Sequence, residues 1–110
     1  MNNLPKNWNI NDILTLTMIK GITSNSIRGI VEKFNSLERF LESSEIRKYP
    51  KLQEDFFNIF DKYQFEAEEC LEECSKNKIR IISIWDNDYP SLLKNISYPP
   101  LLLYVKEEDN

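Results

Sequence analysis

The sequence predicts a mainly α-helical fold, in which a small helical bundle is followed by a long helix and two short C-terminal strands. Apolar residues recur every three or four positions through most of residues 1–76, the spacing of one face of a helix. After residue 78 the spacing changes to a short β-branched run bounded by polar residues, as in a strand. With 2 glycines, 5 prolines and 41% hydrophobic residues, the composition is typical of a folded, helix-rich chain.

The first helix is predicted over residues 11–20. Asn9 or Asn11 supplies a side-chain oxygen that caps the N-terminus of this helix. Gly21 ends the helix, because glycine tolerates the left-handed conformation that closes a helix.

Two further helices follow closely. One opens at Thr23 or Ser24 and continues to about residue 34, with apolar residues at the i, i+3, i+4 and i+7 positions. The next is a short helix over residues 36–41, which Ser36 caps. The sequence thus predicts three short helices before residue 42.

The longest periodic stretch starts near Pro50 and predicts either one long helix or two stacked ones. Its apolar stripe consists of Leu52, Phe56, Phe60, Tyr63, Ala67, Cys70, Leu71 and Cys74. Its acidic residues are Glu66, Glu68, Glu69, Glu72 and Glu73. They lie largely opposite the stripe, so a solvated helix face is favoured over a protein-docking surface.

Two strands are predicted near the C-terminus, at residues 79–84 and 101–105, with a short helical turn between them. Two strands do not form a stable sheet alone, so they either pair with each other on the helices or await strands from elsewhere. We therefore divide the chain into a helical domain, 1–76, and the start of a second domain, 77–110.

Charge and residue types exclude several kinds of site. The net charge is −4, with 8 Lys/Arg against 5 Asp/Glu in residues 1–52 and 6 against 13 in residues 53–110, which disfavours strong autonomous DNA binding. The chain has no histidine and 2 cysteines, Cys70 and Cys74, so neither a common zinc site nor a histidine-based triad can be assembled. We expect no cofactor, no metal and no catalytic residue, and hence no enzymatic activity.

The segment around the first turn carries the most informative motif. Helix, tight glycine turn and helix in succession resemble a helix-hairpin-helix, which holds a DNA phosphate on backbone N–H groups and a helix N-terminus. The candidate nucleic-acid-binding residues are Lys20, Gly21, Thr23, Ser24, Arg28 and Lys33. Thr23 replaces the second glycine of that motif, so an ordinary turn that packs two helices is the favoured interpretation over phosphate binding.

Asp86 and Asp88 form a pair of carboxylates flanked by Trp85 and Tyr89. No nucleophile and no glycine-rich phosphate loop accompany them in the sequence. Turn formation and helix capping explain both aspartates better than acid–base catalysis does.

Residues 79–106 resemble the DprA/Smf family of DNA-processing proteins. A strand, an aspartate-containing turn, Tyr89-Pro90 followed by Leu92-Leu93, the pair Pro99-Pro100 and the strand Leu103-Tyr104-Val105 occur in the family's order. Residues 14–37 also resemble the sterile-alpha-motif-like (SAM-like) helical domain of that family. The resemblance therefore spans nearly the whole chain.

The resemblance implies an accessory role. In the family, the helical domain precedes a Rossmann-like core that binds single-stranded DNA and helps to load a recombinase during natural transformation. The core's Gly-Ser-Arg motif has no counterpart in residues 1–110, so its DNA-binding residues cannot be carried over. The implied partners are a recombinase or a separate Rossmann-fold core, with weak binding of single-stranded DNA at most.

Two other functions remain open: a direct DNA-binding module that uses the hairpin, and an interaction protein that adds the strand at residues 101–105 to a partner's sheet or to a second copy in a homodimer. The longest mostly apolar run, residues 98–105, is far shorter than the ~20 residues that cross a bilayer. We therefore expect a cytoplasmic protein without a membrane partner.

Overall fold

The computed structural model describes residues 4–5, 7–50 and 56–107, with the backbone alone at 56–60. The elements follow in the order α1 (Ile10–Thr17), α2 (Ser24–Lys33), α3 (Leu37–Glu42), a 3-10 turn (Ser44–Lys48), α4 (Phe56–Lys76), β1 (Ile79–Ser83), α5 (Ser91–Lys94) and β2 (Leu102–Lys106). The predicted fold class is confirmed: the chain is mostly helical, with a long helix followed by two short antiparallel strands.

Helix α1 begins where the side chain of Asn9 caps it, accepting a hydrogen bond from the backbone N–H of Asp12 at 2.8 Å. It ends at Thr17 and not at residue 20 as predicted. The Thr17 hydroxyl donates to the backbone oxygen of Leu14 at 2.6 Å. Such threonine hydrogen bonds to the preceding turn compete with regular helix, which explains why α1 is shorter than its apolar spacing suggested.

Helices α2 and α3 begin at predicted caps. The hydroxyl of Thr23 accepts a hydrogen bond from the backbone N–H of Ser26 at 3.1 Å, and that of Ser36 accepts one from Arg39 at 3.2 Å. The buried residues of α2 are Ile27, Ile30 and Val31. They follow the predicted helical spacing, so this face of α2 was correctly identified from the sequence.

Helix α4 is one continuous helix over its 21 residues, which decides between the two predicted alternatives for this part of the stripe. It packs along α1 and against β1, and it buries Ala67 completely. The acidic residues on its other side are all exposed, as predicted: Glu66, Glu68, Glu69, Glu72 and Glu73. Leu52, and the side chains of Phe56 and Phe60, lie outside the described residues.

Strands β1 and β2 pair with each other as an antiparallel ladder in which Ile81 lies opposite Tyr104. The ladder extends beyond the strand ends, since the N–H of Ile84 donates to Leu101 at 2.9 Å. Within the described residues, neither strand pairs with a third strand, so both outer edges of this sheet are open.

The hydrophobic core draws on both halves of the chain. Helices α1 to α3 contribute most of it, including the fully buried Phe40, and the C-terminal segment adds Ile82, Ile84, Tyr89 and Leu101. The helices therefore support the two-stranded sheet, as two strands require. The division into domains at residue 76 stays a prediction.

Candidate nucleic-acid interface

The loop between α1 and α2 turns at Gly21, whose φ of +94° lies in the left-handed region. Glycine adopts this conformation freely, whereas other residues are strained there by about 1–2 kcal/mol. An added Cβ would meet nothing within 4 Å, so the backbone angle and not a lack of space selects glycine. The backbone N–H of Gly21 donates no hydrogen bond within the described residues. The turn thus presents one donor of the kind that binds a phosphate oxygen.

Thr23 and Ser24 mark the start of α2 and are both exposed. The Thr23 hydroxyl accepts from the backbone N–H of Ser26 and donates to the Ser26 hydroxyl at 3.0 Å, so its hydrogen-bonding capacity serves the helix cap. Ser24 makes no side-chain hydrogen bond within the part of the chain that the structure describes. Of these two predicted contacts, Ser24 is therefore the better donor to a ligand.

Two of the three predicted cations have carboxylate partners. Arg28 Nε lies 3.3 Å from Oε2 of Glu32, one helical turn further along α2. Lys33 donates a hydrogen bond to Glu45 in the 3-10 turn, and this bond lowers the pKa of the Glu45 carboxyl. Lys20 is exposed and has no carboxylate within 4 Å among residues 4–5, 7–50 and 56–107.

The six predicted contact residues do not form one patch. Lys20, Gly21, Thr23 and Ser24 lie together at the turn. Lys33 lies at the opposite end of α2, about 15 Å away for a helix of 10 residues at 1.5 Å per residue. The geometry accordingly offers one phosphate position with a single unneutralised cation beside it.

Sequence reasoning missed the residues that surround this turn. Tyr49 and Pro50 line a cavity next to Gly21, although they follow it by nearly 30 positions. The side-chain amide of Asn25 donates to the backbone oxygen of Ser97 at 3.2 Å, which brings the C-terminal segment to the start of α2. Helical spacing reports only on neighbours within one element, so it carried no indication of these contacts.

The aspartates after β1 have structural roles. Asp86 is buried, and its Oδ2 accepts from the backbone N–H of Ser83 at 2.8 Å, while its own N–H donates to the Ser83 oxygen at 2.9 Å. Asp88 Oδ2 lies 2.6 Å from Nη1 of Arg80 in β1. This geometry confirms the prediction that Asp86 forms a turn.

Within the described residues, no group of three or more His, Cys, Asp or Glu side chains is placed to hold a metal ion. Cys70 is half-buried and Cys74 is buried, on the side of α4 that faces the sheet. Burial, followed by the neighbouring Cys70, raises the pKa of the Cys74 thiol. None of the helices that the structure describes combines the length and the apolar character required to cross a membrane.

Comparison with known proteins gives no relative for this chain. No protein-family model matches it, and neither the curated proteins nor the solved structures yield a significant match.

Proposed function

We propose that this chain is an accessory helical module of a DNA-processing protein similar to the DprA/Smf family, which acts in DNA uptake and recombination mainly through protein contacts. The sequence resemblance over residues 79–106 motivates the proposal. The expectation of weak DNA binding rests on two ion pairs, in which Glu32 neutralises Arg28 and Glu45 neutralises Lys33. DNA affinity comes mostly from cations that neutralise phosphates, so a turn with Lys20 alone binds DNA weakly.

The open sheet is the surface for protein contact. Strand β2 forms one edge of a two-stranded sheet and carries the exposed side chains of Tyr104 and Val105. An edge strand has unpaired backbone groups that can hydrogen-bond to a strand of a partner. A Rossmann-fold core contains such strands, so a core of this kind is the preferred partner and a recombinase is the second.

Strand addition is tested with a purified Rossmann-fold core of a DprA/Smf protein that lacks its own helical domain. Isothermal titration calorimetry of that core with this chain is expected to show saturable 1:1 binding. In the register of the ladder, Tyr104 lies in a pair without mutual hydrogen bonds, so its backbone N–H faces the open edge of β2. Tyr104→Pro removes this donor, leaves the bonds to β1 in place and is expected to weaken binding at least tenfold, because proline cannot donate to a partner strand. Tyr104→Thr is the matched control, because it also removes the ring but keeps the backbone donor, and it should bind like the unchanged chain. Equal affinities of the proline and threonine variants would refute strand addition.

Weak DNA binding is tested by fluorescence anisotropy with a labelled oligo-dT at low and at about 0.15 M salt. One phosphate contact on single-stranded DNA gives a slope of log K against log salt of about −0.7. Lys20→Gln should remove this dependence, whereas Lys76→Gln, the same charge change at the end of α4, should leave it unchanged. A slope several times steeper, with submicromolar affinity at the higher salt, would favour the direct DNA-binding module instead.

A homodimer through β2 is the remaining alternative, favoured by the same open edge. Light scattering during size-exclusion chromatography distinguishes it. A mass that stays at the 13.1 kDa of one chain over a wide concentration range is expected for the accessory module. A concentration-dependent rise towards twice that mass, abolished by Tyr104→Pro and retained by Tyr104→Thr, would support self-pairing of the strand.

A further inference from the structure

A cavity of about 450 Å³ lies beside the turn between α1 and α2, lined by Ile19, Lys20, Gly21, Tyr49 and Pro50. Its walls are mostly apolar, and Lys20, the charged residue among them, is exposed to solvent. Pockets of about 300–1,000 Å³ with apolar walls and few polar groups are typical of small-ligand sites. This volume suits one aromatic ring system with its polar attachment.

Tyr49 provides a fixed aromatic wall for this cavity. Its ring contacts the fully buried Phe40 edge-on, with 6.0 Å between the ring centroids and 66° between the planes. Its backbone N–H donates to Ile46 at 3.0 Å, which holds the end of the 3-10 turn in place. Tyr49 is half-buried, so the core positions the ring while part of it stays accessible. An aromatic surface held in this way is suited to stacking.

The α1–α2 turn supplies the polar groups of the cavity. The N–H of Gly21 has no acceptor within the described residues, and Lys20 has no carboxylate within 4 Å there. A hydrogen-bond donor and a cation that line the same cavity as an aromatic ring complement a ligand that joins an anion to a flat aromatic group. A nucleotide is such a ligand.

We propose that this cavity takes one unstacked base of single-stranded DNA, with Tyr49 stacking on the base and Lys20 and the Gly21 N–H holding the adjoining phosphate. This site deepens the proposed function, on which it rests, by locating its weak DNA contact. An extended peptide does not combine an anion with a flat aromatic group at every position, and a lipid acyl chain has no acceptor for the N–H of Gly21.

The glycine content offers a direct test. The chain contains 2 glycines, Gly21 at the cavity and Gly29 within α2, so ¹⁵N-glycine labelling gives an amide spectrum of two peaks. The Gly29→Ala variant identifies which peak is Gly21. Titration with oligo-dT is expected to shift the Gly21 peak saturably and to leave the Gly29 peak nearly in place. Saturable binding without a shift at Gly21 would overturn the site.

The base and the phosphate are separated by changing the ligand. An oligonucleotide of the same length with abasic positions keeps the phosphates and is expected to bind at least about fivefold more weakly, because stacking of a base on an aromatic residue contributes at least that factor. Free thymidine monophosphate should shift the same peak at higher concentration, which distinguishes a mononucleotide site from one that requires a strand. Equal affinity for the abasic and the normal oligonucleotide would refute base binding.

Variants of the ring complete the test. Tyr49→Phe keeps the aromatic surface and should bind like the unchanged chain, whereas Tyr49→Leu should lose affinity to the same extent as the abasic ligand. Tyr49→Leu also removes the contact with Phe40, so the thermal unfolding of this variant is measured as well. The abasic oligonucleotide tests base stacking on the unchanged protein. If base binding at the cavity is refuted, binding to the Rossmann-fold core is unaffected, so this result is distinguishable from a failure of the proposed function.

Discussion

The indole Nε1 of Trp85 donates a hydrogen bond to Oε2 of Glu32 at 3.0 Å, and the same carboxylate oxygen lies 3.3 Å from Nε of Arg28. One exposed carboxylate in α2 therefore joins the segment after β1 to the helices and also neutralises a candidate DNA-binding cation. Asn25 and Ser97 form a second link between the same two parts of the chain. These contacts hold the C-terminal segment against α2, and the carboxylate that makes one of them also neutralises Arg28.

Replacing this carboxylate should increase DNA binding. Glu32→Gln keeps an oxygen that can accept from Trp85 but releases Arg28, so the affinity for oligo-dT at low salt should rise about two- to fivefold. The slope of log K against log salt should become steeper by about 0.7, the contribution of one further phosphate contact. Glu42→Gln is the matched control, because it makes the same charge change in α3 and has no ion pair within the described residues. Equal effects of the two variants would show that net charge alone is responsible.

The two glycines should respond oppositely to alanine. At Gly21 the φ of +94° is unfavourable for any side chain, so Gly21→Ala should lower the free energy of unfolding by about 1 kcal/mol. Gly29 lies within α2 with open space around its missing Cβ, so Gly29→Ala should raise that free energy by about 0.5–1 kcal/mol. Urea unfolding monitored by circular dichroism measures both. A loss of stability in Gly29→Ala would contradict the assignment of open space.

Local features of the fold were predictable because they depend on neighbours in the sequence. The caps at Thr23 and Ser36, the buried face of α2 and the change to strand spacing at residue 79 all follow from chemistry within a few positions. The early end of α1 was not predictable, because the spacing of apolar residues gives no information about the hydrogen bond from Thr17 to Leu14.

The candidate site was predictable only in part for a related reason. The sequence located the turn at Gly21, but the neutralisation of Lys33 by Glu45 and the approach of Tyr49 are contacts between different elements. Their formation depends on how the helices pack, which no single helical pattern specifies. Charges that appear available in a sequence are thus poor indicators of binding until their partners are known.

The two cysteines should differ in reactivity. Cys74 is 8% exposed and the pKa of its thiol is raised by burial, so it carries less of the reactive thiolate than an exposed cysteine would. Cys70 is half-buried one turn earlier in α4. Alkylation by N-ethylmaleimide, followed by mass spectrometry of peptides, should therefore modify Cys70 at least severalfold faster in the native protein. In denaturant the two rates should converge, and faster native labelling of Cys74 would contradict its burial.

Tyr89 should link stability to alkaline pH. Its side chain is 4% exposed, and its hydroxyl donates to the backbone oxygen of Pro100 at 2.5 Å. Burial raises the pKa of Tyr89, with a smaller opposing effect from Arg28. Near pH 7 both the folded and the unfolded chain hold this proton. Tyr89→Phe should then lower the free energy of unfolding by about 1 kcal/mol, because it leaves the partly buried carbonyl of Pro100 without its donor.

The difference in unfolding free energy between the unchanged chain and Tyr89→Phe should diminish as the pH rises. Above about pH 10 the unfolded chain releases the Tyr89 proton first, so it binds fewer protons than the folded chain and the free energy of unfolding falls with pH. Tyr89→Phe lacks this proton, and its alkaline decline should be shallower than that of the unchanged chain. Tyr98→Phe is the control, because Tyr98 is 80% exposed and should leave the decline unaltered. Urea unfolding at a series of pH values between 7 and about 11 measures the slopes, and parallel curves for the unchanged chain and Tyr89→Phe would refute this role of the buried phenol.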